Sequence, residues 1–158
     1  MASRSIQDWL SEYGKSHQHP VNKQIHWLCV PIIFWSISAL LWTIPIPFLS
    51  FSGLSLNVGL IALLFILFYY FLLSFSLALG MTAFTTFCLM LSYQIEQMLG
   101  ITGLRLLSII LFIIAWIGQF YGHRLEGKKP SFLEDIQFLM IGPAWLLHFI
   151  YKRLKISL

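Results

Sequence analysis

At 158 residues the chain has room for one domain, and 58% of it is hydrophobic against 10% charged, where a soluble domain carries about 45–50% apolar and about 25% charged residues. Ten basic and six acidic side chains cannot cover a water-exposed surface of this size, and so apolar a chain collapses rather than staying disordered, so lipid must be the solvent for most of it. The net charge of +4 is carried by the ends, with only Arg105 of the ten Lys and Arg lying between residues 27 and 122; membrane topology produces that pattern, and without an aromatic-interleaved basic stripe it argues against nucleic acid as a partner.

Residues 1–24 are polar and contain no apolar core of a cleavable leader. Ile6 to Gly14 predicts a short amphipathic helix with Trp9, Leu10 and Tyr13 on the membrane side. Pro20 is placed at a helix start, which leaves His17 in the preceding loop. From Gln24 to Ile95 there is no Asp, Glu, Lys or Arg. Trp27 to Phe48 is a first apolar run, closed by Ile44-Pro45-Ile46-Pro47, whose prolines favour an extended exit. Ser50 to Asn57 reads as a short polar loop. Val58 to Ser92 would be about 52 Å long as one helix at ~1.5 Å per residue, too long for one crossing of a core ~30 Å thick. It therefore reads as two spans turning near Ser74-Phe75-Ser76.

Ser92 to Gly103 reads as a polar connection, and Leu104 to Tyr121 as the last span. Phe132 to Tyr151 has Glu134 and Asp135 in its first turn, basic residues after its end, and a break at Gly142-Pro143. It reads as an interfacial or re-entrant segment. The expected architecture is thus an all-α integral membrane protein. One domain, residues 1–158, forms a four-span helical bundle (about 27–48, 58–74, 76–92 and 104–121) with short amphipathic N- and C-terminal helices and an interfacial segment at about 132–151. Four spans place both basic ends on one side, expected to be the cytoplasm. Either a bacterial inner membrane or an endoplasmic reticulum membrane suits such a chain. Trp27, Trp42, Trp116 and Trp145 near span ends read as interfacial anchors, and Cys29 and Cys88, in apolar runs without CxxC spacing, as small buried hydrophobes.

The five histidines avoid the middle of the apolar core. His17, His19 and His26 precede the first span, His123 follows the last, and His148 lies in the terminal segment. Four spans bring the first three and His123 to the same membrane face. Neutral imidazole is the commonest metal ligand. His19 and His26, seven apart, are ~10.5 Å apart along a helix. A loop before Pro20 can fold His17 back toward His26. The spacing permits a metal site without demanding one, and interfacial histidines bonded to water or backbone are the alternative.

Two strings carry a resemblance. The first, His17-Gln18-His19-Pro20-Val21-Asn22-Lys23-Gln24-Ile25-His26-Trp27-Leu28-Cys29-Val30-Pro31, has the form H-x4-N-x3-H-x4-P. The second is Gln119-Phe120-Tyr121-Gly122-His123-Arg124-Leu125-Glu126-Gly127-Lys128-Lys129-Pro130-Ser131, followed by Gly142-Pro143. Together, in order and over nearly the whole chain, they resemble the membrane 2-hydroxy fatty acid dioxygenase family, formerly a domain of unknown function. Its yeast member is named for metabolism of phytosphingosine to odd-numbered fatty acids. The resemblance implies an iron(II)-dependent dioxygenase that shortens a 2-hydroxy fatty acid by one carbon, with O2 as co-substrate and His17, His26 and His123 as catalytic metal ligands. His19 and His148 fall outside the implied ligand set.

Asn22, four before His26, could orient a ligand or substrate, or simply start a helix. Glu126 could orient a ligand, be a fourth ligand, or pair with Lys128 or Lys129, and Gln119, four before His123, is open in the same way. Three neutral imidazoles leave three of six octahedral positions open, so an α-hydroxy carboxylate could chelate and itself supply electrons, without 2-oxoglutarate, flavin or nicotinamide. The acyl tail would lie among the spans. The competing expectations are a non-catalytic scaffold or small transporter with interfacial histidines, and a haem protein. The first is weakened by a core without ionisable groups, the second by histidines that lie at span ends.

Overall fold

A computed structural model describes residues 5–51, 54–127, 129 and 137–157. The order is α1 (Ile6–Lys15), α2 (Pro20–Trp42), β1 (Pro45–Phe51), β2 (Leu54–Asn57), α3 (Val58–Leu73), α4 (Phe75–Glu126) and α5 (Gln137–Leu154). The expected helical class holds, with one small antiparallel hairpin added.

Ser5 and Asp8 form a reciprocal cap that starts α1, satisfying two of the free N–H groups at a helix start. Its apolar face, Ile6, Trp9, Leu10 and Tyr13, is buried. That face meets α5 rather than lipid: Trp9 packs edge-on to Phe138 at 5.6 Å and Tyr13 lies 5.5 Å from Trp145. An amphipathic stripe specifies only that it be covered, and here a second helix covers it. Trp145, expected as an interfacial anchor, is therefore a core residue, 4% exposed.

Helix α2 opens as expected, with Pro20 in its first turn and the His19 side chain accepting from Val21 N–H at 3.2 Å. It ends at Trp42 rather than Phe48. Pro45 and Pro47 cannot supply helical N–H groups, and the chain becomes β1, paired with β2 through Pro45↔Asn57, Ser50↔Ser55 and Phe51↔Leu54. The expected loop at 50–57 thus contains strand residues. Asn57 then caps α3 by accepting from Leu60 N–H at 2.9 Å.

The turn between α3 and α4 falls at Ser74, where the backbone is extended (φ −166°, ψ 132°), as the length argument required. The polar connection expected over 92–103 shrinks to one residue. Gln94, Glu96 and Gln97 are good helix formers and stay on α4, which breaks only at Gly100, with φ +69°, a conformation that favours glycine. The two halves of α4 fold against α2, since Trp35 and Ala39 share a cluster with Cys88 and Leu104, and Cys29 and Ile33 share one with Ala115. Both cysteines are free and buried. Arg105, the isolated cation, donates to the Oγ1 and carbonyl of Thr43 at the C-terminus of α2, where a positive charge suits the helix dipole. Beside it Trp42 donates its indole N–H to Glu96 at 2.7 Å.

Helix α5 runs through Gly142-Pro143 without stopping, contrary to the expected break. Proline removes one helical hydrogen bond, and at the next carbonyl Tyr70 O–H donates to Met140 O at 2.6 Å. Lys152 and Arg153, expected beyond the end of the segment, occupy the last turn of a helix that runs on to Leu154, while Glu134 and Asp135 lie outside the described residues.

Helices α2 and α4 are long and apolar enough to cross a membrane. On α3 and α4, Leu64, Phe65, Phe68, Phe87, Met90, Ile113 and Ile117 all face outward. A contiguous apolar exterior of this extent does not suit water.

Candidate metal centre

The site forms where the start of α2 meets the end of α4 under the cover of α1 and α5. The loop between α1 and α2 folds back, and His17 Nε2 lies 2.8 Å from His26 Nε2. His123, three residues before the end of α4, completes the group, with its ring 5.0 Å from that of His17 and 4.9 Å from that of His26. One ligand atom from each of the three lies within 4.8 Å of the others. All three are buried, His17 and His26 at 0% and 1% exposure and His123 at 3%. His19 and His148 stand apart, as the sequence reading has them. His19 caps α2, and His148 sits beside Phe149 on α5.

Hydrogen bonding decides which ring nitrogens are available. His17 Nδ1 donates to the Tyr13 carbonyl at 2.6 Å and His26 Nδ1 to the Asn22 carbonyl at 2.9 Å. A carbonyl only accepts, so each Nδ1 carries the proton and each neutral ring keeps a bare lone pair at Nε2. Burial lowers the His17 pKa to about 4, against the opposing pull of the Tyr13 carbonyl, so the ring is neutral near pH 7. Two lone pairs therefore face each other at 2.8 Å, an arrangement that repels unless a cation sits against both. His123 Nδ1 is also buried without a hydrogen-bond partner among the described residues, and such orphans in native sites mark an ion or water. The donor set thus fits a divalent transition metal held by imidazole, with its ring orientations set by backbone carbonyls as is usual for metal-bound histidine.

The remaining motif residues form a clamp. Glu126 accepts from Gln18 N–H at 2.7 Å, His19 N–H at 2.8 Å and Asn22 Nδ2 at 3.1 Å. Its oxygens thereby tie the His17 loop to the end of α4, and among the described residues the group of possible metal ligands is His17, His26 and His123. Asn22 also donates to Ser16 O at 3.3 Å, and its Oδ1 rests against Gly122, where a Cβ would collide with it. Gly118 meets Cys29 Sγ in the same way. These two glycines, four apart, let α4 approach α2 closely and so set the distance between His123 and His26. Glu126→Gln keeps the shape but turns one acceptor into a donor facing N–H groups. It is expected to weaken retention of a bound divalent metal about 10–100-fold, the scale of lost ligand orientation. Metal content after dialysis measures it, and unchanged retention would count against the clamp.

Sequence reasoning missed Tyr13 and Trp145. Tyr13 stacks on His17 at 4.1 Å and Trp145 lies 5.3 Å from the same ring, so they wall the site from water. A backbone carbonyl as ring acceptor leaves no mark in sequence, whereas the Gly118-x-x-x-Gly122 spacing was a legible sign of close helix packing. Tyr13 and Gln119 also line an apolar cavity of about 100 Å³ between α2, α3 and α5.

Comparison with known proteins gives the family. A family model described as "2-hydroxy-palmitic acid dioxygenase Mpo1-like" matches residues 3–154. The chain is 30% identical to the 2-hydroxy-palmitic acid dioxygenase MPO1 of Saccharomyces cerevisiae, over 97% of this chain and 87% of that protein. No solved structure matches it. With nearly the whole chain covered by the family model and by this relative, the protein belongs to the Mpo1-like family.

Proposed function

We propose that the chain is an iron(II)-dependent membrane dioxygenase that shortens 2-hydroxy fatty acids by one carbon, with His17, His26 and His123 holding the metal. The observation that carries this reading is the pair of buried imidazole nitrogens facing lone pair to lone pair beside a third buried histidine, in a chain of this family. The reaction balances as a 2-hydroxy acid plus O2 giving the acid one carbon shorter, CO2 and water. The C1–C2 bond breaks, and the substrate supplies all four electrons that O2 takes up, so no 2-oxoglutarate, flavin or nicotinamide is required. Bound iron(II) would supply a positive charge for the hydroxy-carboxylate head and an electron donor to O2.

The chain's own residues do the rest. The carbonyls of Tyr13 and Asn22 hold two rings in the required tautomer. Tyr13 and Trp145 exclude water from His17, and Glu126 holds the loop that carries it. The acyl tail stays among apolar helices, where each CH2 kept from water is worth ~0.8 kcal/mol.

The reading includes one membrane domain with four spans: α2, α3 and the two stretches of α4 on either side of Gly100, about 37 and 39 Å long at ~1.5 Å per residue. The 16 residues of α3 make about 24 Å, and the hairpin and the Ser74 turn complete that crossing. Reporter tags at Met1 and Leu158 are expected to map to the same, cytoplasmic side of the inner or endoplasmic reticulum membrane, and tags on opposite sides would break the four-span reading. The function itself is tested by metal analysis of anaerobically purified protein, followed by single-turnover product analysis with defined iron(II) and O2. A product one carbon shorter is expected. Protein that binds no iron, or iron-loaded protein that leaves the 2-hydroxy acid intact, would return the chain to a non-catalytic scaffold role.

A further inference from the structure

One buried polar side chain beside the histidines takes no part in holding them. Gln119 is 5% exposed, one turn before His123 on α4, and its amide has no hydrogen-bond partner among the described residues. It lines a cavity whose other walls are almost wholly apolar. Its amide gives that end of the cavity a polar group free to meet a ligand's head, and a few placed polar groups in an otherwise apolar pocket are what orient a ligand.

The cavity has a direction. Along α2 it is lined by Val30, Ile33, Phe34, Ile37, Ser38 and Leu41, one continuous helical face. Gly118, next to Gln119, packs at Cys29, and from there to Leu41 the helix rises about 18 Å at ~1.5 Å per residue. At the far end α3 begins, with Gly59 against Trp42, and Ala62 lines the cavity one turn later. The cavity thus runs from a polar end beside the histidines to an apolar end near Leu41 and Ala62.

We infer that this cavity is the substrate's acyl slot, with Gln119 donating to the hydroxy-carboxylate head and Ala62, which lines the cavity together with Leu41, setting the chain length accepted. The inference rests on the proposed reaction for the nature of the head group. A polar head held at Gln119 stays within a helical turn of His123, and the tail lies along α2 with its terminal methyl toward Ala62.

The test uses the iron-loaded enzyme in detergent with a series of saturated 2-hydroxy fatty acids of increasing length. Displacement of a fluorescent fatty acid by the same series serves as a second readout that needs no turnover. Ala62→Phe, with Ala62→Leu as the milder variant, is expected to lower kcat/KM and displacement about tenfold for the longest good substrates. The shorter ones should be unaffected, so the optimum moves to shorter chains. Gln119→Leu is expected to raise KM about tenfold at every length, the scale of one hydrogen bond to a charged group, with kcat within about twofold. Its melting temperature should stay near that of the wild type, because a side chain of similar volume replaces an amide that holds no bond within the described protein. A substitution that merely damaged packing would lower it. An unchanged length profile in both Ala62 variants, or an unchanged KM in Gln119→Leu, overturns the slot assignment. A wild type that converts none of the series overturns the reaction instead, while displacement still decides the slot.

Discussion

Alanine at His17, His26 or His123 is expected to abolish iron retention and conversion of a 2-hydroxy fatty acid, each change nearly as damaging alone as all three together. Groups that form one centre are strongly non-additive. Removing His26 leaves His17 Nε2 facing an empty space where its partner lone pair stood at 2.8 Å, and two ligands cannot hold the ion in the geometry that three define. The protein itself should still insert and fold, because the paired lone pairs and the orphaned His123 Nδ1 make the metal-free cluster a source of strain rather than of stability. His19→Ala should keep most activity while losing the cap on α2, worth about 0.5–2 kcal/mol. His148→Ala should be near wild type. Iron content, melting temperature and single-turnover product distinguish these outcomes. Full activity in His26→Ala or His123→Ala would end the metal-site proposal.

Gly122→Ala is expected to be the most damaging small change outside the histidines. Its new Cβ lands on Asn22 Oδ1 and close to Ile25, and Asn22 cannot swing aside because its amide is tied to Ser16 and Glu126. Helices α2 and α4 must then separate, which moves His123 away from His26. Overpacking of this kind costs about 1–3 kcal/mol, and iron affinity should fall more than tenfold. Gly14→Ala is the control. Its Cβ meets only Trp145 Nε1 at 3.6 Å, an ordinary contact, and alanine in a helix gains about 0.5–1 kcal/mol over glycine. The pair Asn22→Ala with Gly122→Ala should recover stability but not iron affinity, since the obstacle is gone and the clamp with it. Additive loss of stability in that pair would show that the collision with Asn22 is not the cause.

The sequence by itself determined the solvent, the helical class and the identity of the clustered histidines. A stretch from Gln24 to Ile95 without a charge admits few structures other than helices in lipid, because backbone polar groups there must bond within their own segment. The turn at Ser74 followed from length against bilayer thickness. Pro20 marked the helix start that leaves His17 free to fold back, and the two motifs named His17, His26 and His123 before their meeting was visible.

Tertiary structure decided the rest. Whether the apolar face of α1 met lipid or another helix depended on where α5 lay, because burial is non-directional and the pattern reads the same for either partner. The hairpin after α2 was set by pairing between Pro45 and Asn57, a contact that neither strand encodes alone, whereas the prolines already marked the extended exit from the helix. Glu126 was left open between ligand, orienting group and surface ion pair because each needs only a carboxylate. The fold-back of residues 16–19 presented two backbone N–H groups to it and made it a clamp. The tautomers of His17 and His26 were likewise set by carbonyls of Tyr13 and Asn22, and a carbonyl belongs to every residue, so only its position in space can select it.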